Sequence, residues 1–185
     1  MRVITGTARG RKLEAPEGMG TRPTTDRVKE SIFNIIQFDI EGRDVLDLFA
    51  GSGQMGIECL SRGANSCVFV DMDKRAQQVV RGNLQTTGFA GRGRLIPGDA
   101  LLALQQLQGS KFGLILLDPP YGGALLNQAL QRIAQIDNLQ TGGIILCESA
   151  AEDVIEPLPA PYRLKREYRY GATRITTFTR EADAQ

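Results

Sequence analysis

The 185-residue chain contains no histidine. That absence excludes a Ser-His-Asp triad, a Cys-His dyad and a His-ligated metal centre. Any chemistry must run on carboxylates, on backbone groups or on a cofactor that brings its own reactivity. Cysteine is scarce: Cys59, Cys67 and Cys147 are odd in number, far apart, and match neither a zinc spacing nor a disulfide framework. They read as small buried hydrophobes in a reducing compartment. No apolar run approaches the ~20 residues needed to cross a bilayer, and the N-terminus lacks the apolar stretch of a signal peptide. A soluble, cytoplasmic monomer without membrane or metal partners is therefore the starting expectation. Net charge is also slight, +1 at pH 7. It is unevenly placed, however. Arg2, Arg9, Arg11 and Lys12 crowd the start without an acid, and Arg163, Lys165, Arg166, Arg169 and Arg174 face Glu167 alone near the end. Two basic ends around a near-neutral middle point to a polyanionic partner.

What is present has the composition of an ordinary globular domain, with 42% hydrophobic and 23% charged residues. The whole of 1–185 reads as one domain, with no internal repeat and no linker. Residues 1–25 are basic and rich in Gly, Pro and Thr, which suggests a short hairpin followed by an extended arm. Pro23-Thr24-Thr25-Asp26 looks like a helix start, and Val28, Ile32, Ile35 and Ile36 share one helical face. Strand and helix signals then alternate: strands over 45–49, 67–70, 94–96, 112–117 and 143–147, with helices ending near 62 and spanning about 74–84, 100–107 and 125–136. Such alternation over 26–150 implies an α/β fold, a parallel sheet with helices on both faces. Residues 162–168 and 173–179 alternate by twos around Tyr170-Gly171-Ala172, so 160–180 reads as an antiparallel hairpin added to one sheet edge. The tail over 181–185 is expected to be disordered.

Asp118-Pro119-Pro120-Tyr121 follows the apolar strand 112–117. Two prolines cannot continue a ladder, so the chain turns there and holds an acid and an aromatic at the mouth of the sheet. The Asp118 carboxylate and the Pro119 carbonyl can accept hydrogen bonds from an exocyclic amine, while the Tyr121 ring stacks on the base that bears it. A strand-ending turn alone would need none of this chemistry.

The first strand runs into Asp47-Leu-Phe49-Ala-Gly51-Ser-Gly53-Gln-Met-Gly56. Glycines at a helix N-terminus let the backbone approach a ligand closely. The G-x-G-x-x-G spacing, with Asp71 placed to grip ribose, also fits a nicotinamide dinucleotide fold. Two acids weigh against it. Asp47 beside the loop would repel a pyrophosphate but bind an amino group. Asp99, after the third strand, adds an acceptor for an adenine amine. Asp47, Asp71, Asp99 and Asp118 each end a strand, and ligands of open α/β sheets bind at those ends. Four converging acids suit a cationic, amine-bearing cofactor such as S-adenosylmethionine.

The order of these features resembles class I S-adenosylmethionine-dependent methyltransferases that act on amines. More closely it is similar to the RsmD-like family of 16S rRNA guanine-N2 methyltransferases. The resemblance rests on Arg9-Gly-Arg-Lys-Leu13, Arg22-Pro-Thr-Thr-Asp-Arg-Val-Lys-Glu30, Val45-Leu-Asp-Leu-Phe-Ala-Gly-Ser-Gly53 and Leu116-Leu-Asp-Pro-Pro-Tyr121. It covers nearly the whole chain. The block over 22–30 narrows the family, whereas the glycine loop and DPPY specify only the superfamily. Two departures stand out: Asp71 where the family often has glutamate, and Thr5-Gly6-Thr7 where it often has two glycines.

The resemblance implies a Rossmann-like, seven-stranded, mostly parallel sheet. It implies that Asp47, Phe49, Gly51 and Gly53 line the methionine end of S-adenosylmethionine, that Asp71 holds ribose with Met72 against the adenine, and that Asp99 and Ala100 lie at the adenine amine. Asp118, Pro119, Pro120 and Tyr121 would hold the target guanine in ribosomal RNA of the small subunit or its assembly intermediate. Arg2, Arg9, Arg11, Lys12, Arg22, Thr24 and Arg27 would meet RNA. DNA adenine or cytosine, protein glutamine, an NAD-linked oxidoreduction and a non-catalytic RNA-binding module are the competing readings.

Overall fold

The computed structural model describes residues 1–16 and 26–183, with no side-chain description at 26 and 27. Its elements are α1 (Asp26–Ile35), β1 (Asp44–Asp47), α2 (Gln54–Ser61), β2 (Ser66–Asp71), α3 (Lys74–Thr87), β3 (Gly93–Pro97), α4 (Ala100–Gln106), β4 (Phe112–Leu117), α5 (Ala124–Ile136), β5 (Leu139–Ala150), β6 (Tyr162–Tyr170) and β7 (Thr173–Arg180). The strands form one seven-stranded sheet in the order β3-β2-β1-β4-β5-β7-β6. The first five are parallel, and β7 joins β5 and β6 antiparallel.

Burial on both faces explains the unbroken apolar runs. All six residues of β4 are buried, and β2 is buried except at its ends. Alternation along each strand then divides the core into two layers. Val45, Phe69, Leu114, Leu116, Ile144 and Ile175 pack with α1, α2 and α3 on one face. Leu46, Leu48, Val68, Ile115, Leu117 and Ile145 pack with α4 and α5 on the other. The three cysteines are free and buried within these layers, as their number and spacing indicate.

The expected N-terminal hairpin is present and docked on the core, and the segment expected as an extended arm lies outside the described residues. Arg2 and Lys12 make an antiparallel bridge, and Val3, Ala8 and Leu13 are buried in the core. The hairpin is fastened to α2 by side chains that point up from the helix. Glu58 accepts from the Ile4 and Thr5 N–H groups at 2.8 and 2.9 Å. Ser61 accepts from the Ala8 N–H at 3.0 Å and donates to the Thr5 carbonyl at 2.6 Å. Gly6 fits only as glycine: its φ is +83°, and a Cβ there would lie 1.8 Å from the Ser61 carbonyl oxygen. Glu58 is itself fully buried, between Arg62 at 2.9 Å and Lys29 at 3.8 Å. That pair of cations makes a buried acid tolerable.

Two further differences concern strand and tail lengths. β5 outlasts its apolar run at both ends, because Leu139 pairs with Phe112 of β4 before it and Ala150 with Thr173 of β7 after it. The tail is tied down as far as Asp183: Glu181 donates its N–H to the Pro161 carbonyl, and Asp183 accepts from Arg180. The rest of the expected tail, and the helix start at Pro23-Thr24-Thr25, lie outside the described residues. No helix among the described residues is long and apolar enough to cross a membrane.

Candidate active site

The sheet order reverses between β1 and β4: the chain leaves β1 toward β2 and β3 on one side, and β4 leads to β5 on the other. Helices on opposite faces part at that point and leave a crevice beyond the carboxyl ends of the two strands. The glycine loop follows β1 and the DPPY turn follows β4. They are brought together because β1 and β4 are direct neighbours, with Asp47 opposite Leu116. The pairing continues one residue further, where the Leu48 N–H donates to the Leu116 carbonyl at 3.1 Å.

On the β1 side the acids shape the loop as well as lining it. Asp47 ends β1, is 3% exposed, and accepts from the Gly56 N–H at 3.0 Å. Burial pushes its carboxyl up to about 7, against the pull of the Gly56 N–H, and the Asp71 charge adds to the rise. Asp71 ends β2. Its two oxygens accept from the Gly51 N–H at 2.8 Å and the Asp73 N–H at 2.9 Å. It therefore braces the glycine loop against β2. Gly51 and Gly53 sit at φ +55° and +77°, and Gly53 opens α2 without a side-chain cap, so the loop presents backbone alone. Met72 projects next to Asp71 and is 74% exposed. Asp99 caps α4, accepting from Leu101 and Leu102 N–H at 2.9 and 3.0 Å. Ala100 behind it is buried, and Phe49 is half-buried against the same layer.

On the β4 side, Pro119 is buried while Asp118 and Pro120 are exposed. Asp118 is reached by water yet has protein on most sides, which describes a carboxylate on the floor of an open cleft. Desolvation pushes its pKa above the ordinary carboxylate range, helped by the charges of Glu148 and Asp47. Solvent access moderates the rise. The Tyr121 ring is 51% exposed, and its hydroxyl donates to Glu148 Oε1 at 3.1 Å. Tyr121 is held above the usual phenol range, first by desolvation, against a hydrogen bond from Thr173.

Glu148 is the site residue that the sequence pattern did not deliver. It lies on β5, only 7% exposed, one step beyond the last paired residues Leu117 and Cys147 and hence level with Asp118. Burial raises its carboxyl above the ordinary range, against the Tyr121 hydrogen bond. The apolar run ends at Cys147, and an acid inside a strand has no local signature. The only available signal was strand continuation into Glu148-Ser149.

The basic hairpin adjoins this crevice. Met1 Sδ lies 3.9 Å from the Ser52 hydroxyl. Asn83 joins the Glu14 backbone to the Ser52 carbonyl through its amide, at 3.0 and 2.9 Å. Arg2, Arg9, Arg11 and Lys12 are all exposed on it. Arg22 and Thr24 lie outside the described residues, as does the side chain of Arg27, which sits in the first turn of α1. No group of side chains among the described residues forms a metal site.

Residues 1–179 match the family described as conserved hypothetical protein 95. The chain belongs to that family. It is 41% identical over 180 residues to the putative rRNA methyltransferase YlbH of Bacillus subtilis, covering 96% of this chain and 98% of that protein. It is 36% identical over 185 residues to the ribosomal RNA small subunit methyltransferase D of Escherichia coli K12, covering 100% and 92%. The solved structure of the putative methyltransferase yhhF from Escherichia coli superposes with a TM-score of 0.87 at 37% identity, over 99% of both chains. A fold of this family carries Asp47, Asp71, Asp99 and Asp118 to one end of one sheet, and places the two basic ends of the chain on its surface.

Proposed function

We propose that this protein transfers the methyl group of S-adenosylmethionine to the exocyclic N2 amine of a guanine in small-subunit ribosomal RNA. One observation carries the reading: the glycine loop and the DPPY turn flank a single crevice across the β1–β4 pair. The names of the full-length relatives support the substrate class.

The residues fit the cofactor on electrostatic grounds. Asp47, at the methionine end, has a carboxyl raised first by burial, so an ammonium placed beside it would stabilise the charged form. S-adenosylmethionine supplies an activated methyl on a sulfonium, together with an ammonium, ribose hydroxyls and an adenine amine. Asp47 and the backbone of 51–53 hold the methionine end, beside Phe49. Asp71 meets ribose with the lone pairs its loop contacts leave over. Met72 covers the adenine face, and Asp99 and Ala100 lie at its amine.

A guanine amine is a poor nucleophile because its lone pair is delocalised into the ring. The Asp118 carboxylate and the Pro119 carbonyl accept its two N–H bonds, aim the nitrogen and offset the positive charge that develops on it. Alignment of this kind is worth up to about 7–11 kcal/mol, which is how a chain without histidine can catalyse. The base must leave its stack to enter, costing a few kcal/mol. Stacking on Tyr121 returns about 1–3 kcal/mol. Arg2, Arg9, Arg11 and Lys12 on the docked hairpin, and Arg163, Lys165, Arg166 and Arg169 on the edge strand β6, are exposed and suit phosphates on either side of that base. Arg22 and Thr24, which precede α1 in the sequence, and Arg27, in its first turn, are the remaining candidates for RNA contact.

The test is methyl transfer from labelled S-adenosylmethionine to small-subunit RNA, free and assembled, that lacks the modification. Mapping must place the label on a guanine N2. Label on adenine or cytosine, or transfer to DNA but not RNA, overturns the substrate assignment.

A further inference from the structure

We propose that Glu148 is a positioning residue for methyl transfer: its buried carboxylate holds the Tyr121 hydroxyl and so fixes the ring on which the target base stacks. The inference rests on the reading of Tyr121 as the stacking platform.

Tyr121 needs an external anchor. Two prolines stiffen the chain before it, but Gly122 and Gly123 follow at φ +122° and +74°, where backbone freedom is greatest. The ring is half in solvent, so packing alone does not set its plane. A hydrogen bond at the far end of the side chain, at 3.1 Å to Glu148, removes both of its torsional freedoms. The anchor itself is rigid, because β5 at this point is paired on both sides, to β4 through Cys147 and to β7 through Ile175.

Glu148 is also a poor choice for stability alone. It is nearly buried, level with Asp118, and no cation among the described residues is bonded to it. Arg174, next to its cross-strand neighbour on β7, instead pairs with Glu167 and donates to the Asp153 carbonyl. Asp118 and Tyr121 meet Glu148 from the β4 side, with Thr173 beside the Tyr121 hydroxyl and Asp47 of β1 acting on Asp118. A buried acid set beside another acid lowers stability, which suits a role in the site better than a role in the core.

Steady-state methyl transfer separates the possibilities. E148A and Y121F should each raise the KM for RNA about tenfold, the worth of one oriented hydrogen bond, with S-adenosylmethionine affinity unchanged by calorimetry. The double variant should be no worse than either single one, because both remove the same contact. E148Q keeps an oxygen for the tyrosine hydroxyl and should retain the RNA KM. It also removes a charge beside Asp118, so the acid limb of kcat/KM should move to lower pH. That shift follows from the lost charge alone, so the KM pattern of the single and double variants is what separates a positioning role from a structural one. Multiplying losses in the double variant, or an E148Q as impaired in KM as E148A, overturns the proposal. Y121A with an unchanged RNA KM would instead remove Tyr121 from base binding, a failure of the underlying reading that is visible without any Glu148 variant.

Discussion

At the residue scale, a few carboxylates carry the site, and their environments set what each can do. In the proposed role, Asp118 must be ionised to accept from an amine and to offset positive charge. Its carboxyl is raised by burial and by Glu148, so turnover should fall as pH drops through a range above that of an ordinary aspartate. Asp118→Asn should cut kcat by about 10²–10³-fold, the usual scale for losing one charge-stabilising group. Cofactor binding by calorimetry should stay nearly constant, because the proposed cofactor contacts lie on the β1 side. Asp47 gives a separate stability signature. Its folded pKa, about 7, exceeds that of the unfolded chain, so the fold binds its proton more tightly. Stability should therefore decline as pH rises from about 4 to about 7. Asp47→Asn should flatten that decline in urea titrations at pH 5 and 8, while weakening S-adenosylmethionine binding.

The four aspartates were legible in the sequence because each follows an apolar run, and strand ends are where ligands gather. Their partners were not legible. Asp71 braces Gly51, and Asp47 is all but sealed against Gly56. Those bonds depend on loop paths that spacing does not encode. Glu148 was missed for a related reason: only pairing with β4 and β7 shows that the strand outlasts its apolar run.

At the element scale, the N-terminal hairpin departs furthest from its sequence reading. Its composition resembles solvated surface, yet Ile4, Thr5, Thr7 and Ala8 are all bonded to Glu58 or Ser61 of α2. Glu58→Ala would strand the Ile4 and Thr5 N–H groups in a part-buried seam, at about 1–3 kcal/mol each. Thermal unfolding should register a lower Tm, and limited proteolysis should cut within 1–16 before the sheet is attacked. Gly6→Ala should behave alike, since its Cβ meets the Ser61 carbonyl and cannot be accommodated at positive φ. Because the hairpin touches Ser52 of the glycine loop, either change should weaken RNA affinity as well as stability. A hairpin that is merely a solvated arm would leave all three readouts alone. The helices and parallel strands, by contrast, were placed within a few residues by periodicity, because burial on one stripe or on both faces is what the pattern records.

At the scale of the whole molecule, the near-zero net charge hides two exposed basic surfaces, one on the hairpin and one on the edge strand β6. RNA binding should weaken steeply with salt. Arg9→Ala with Arg11→Ala should lower the salt-dependence slope by about 1–2, close to one per lost phosphate contact. An unchanged slope would make the hairpin cations ordinary solvated surface. The sequence alone determined the alternation of strand and helix, the two apolar faces of the sheet and the acids at strand ends, because each is written in neighbours a few residues apart. Only the tertiary structure decided that β1 and β4 stand side by side, that the basic hairpin lies against the glycine loop, and that Glu148 meets Tyr121. Those juxtapositions join residues 27 to 69 positions apart, and strand order and packing create them rather than any local pattern.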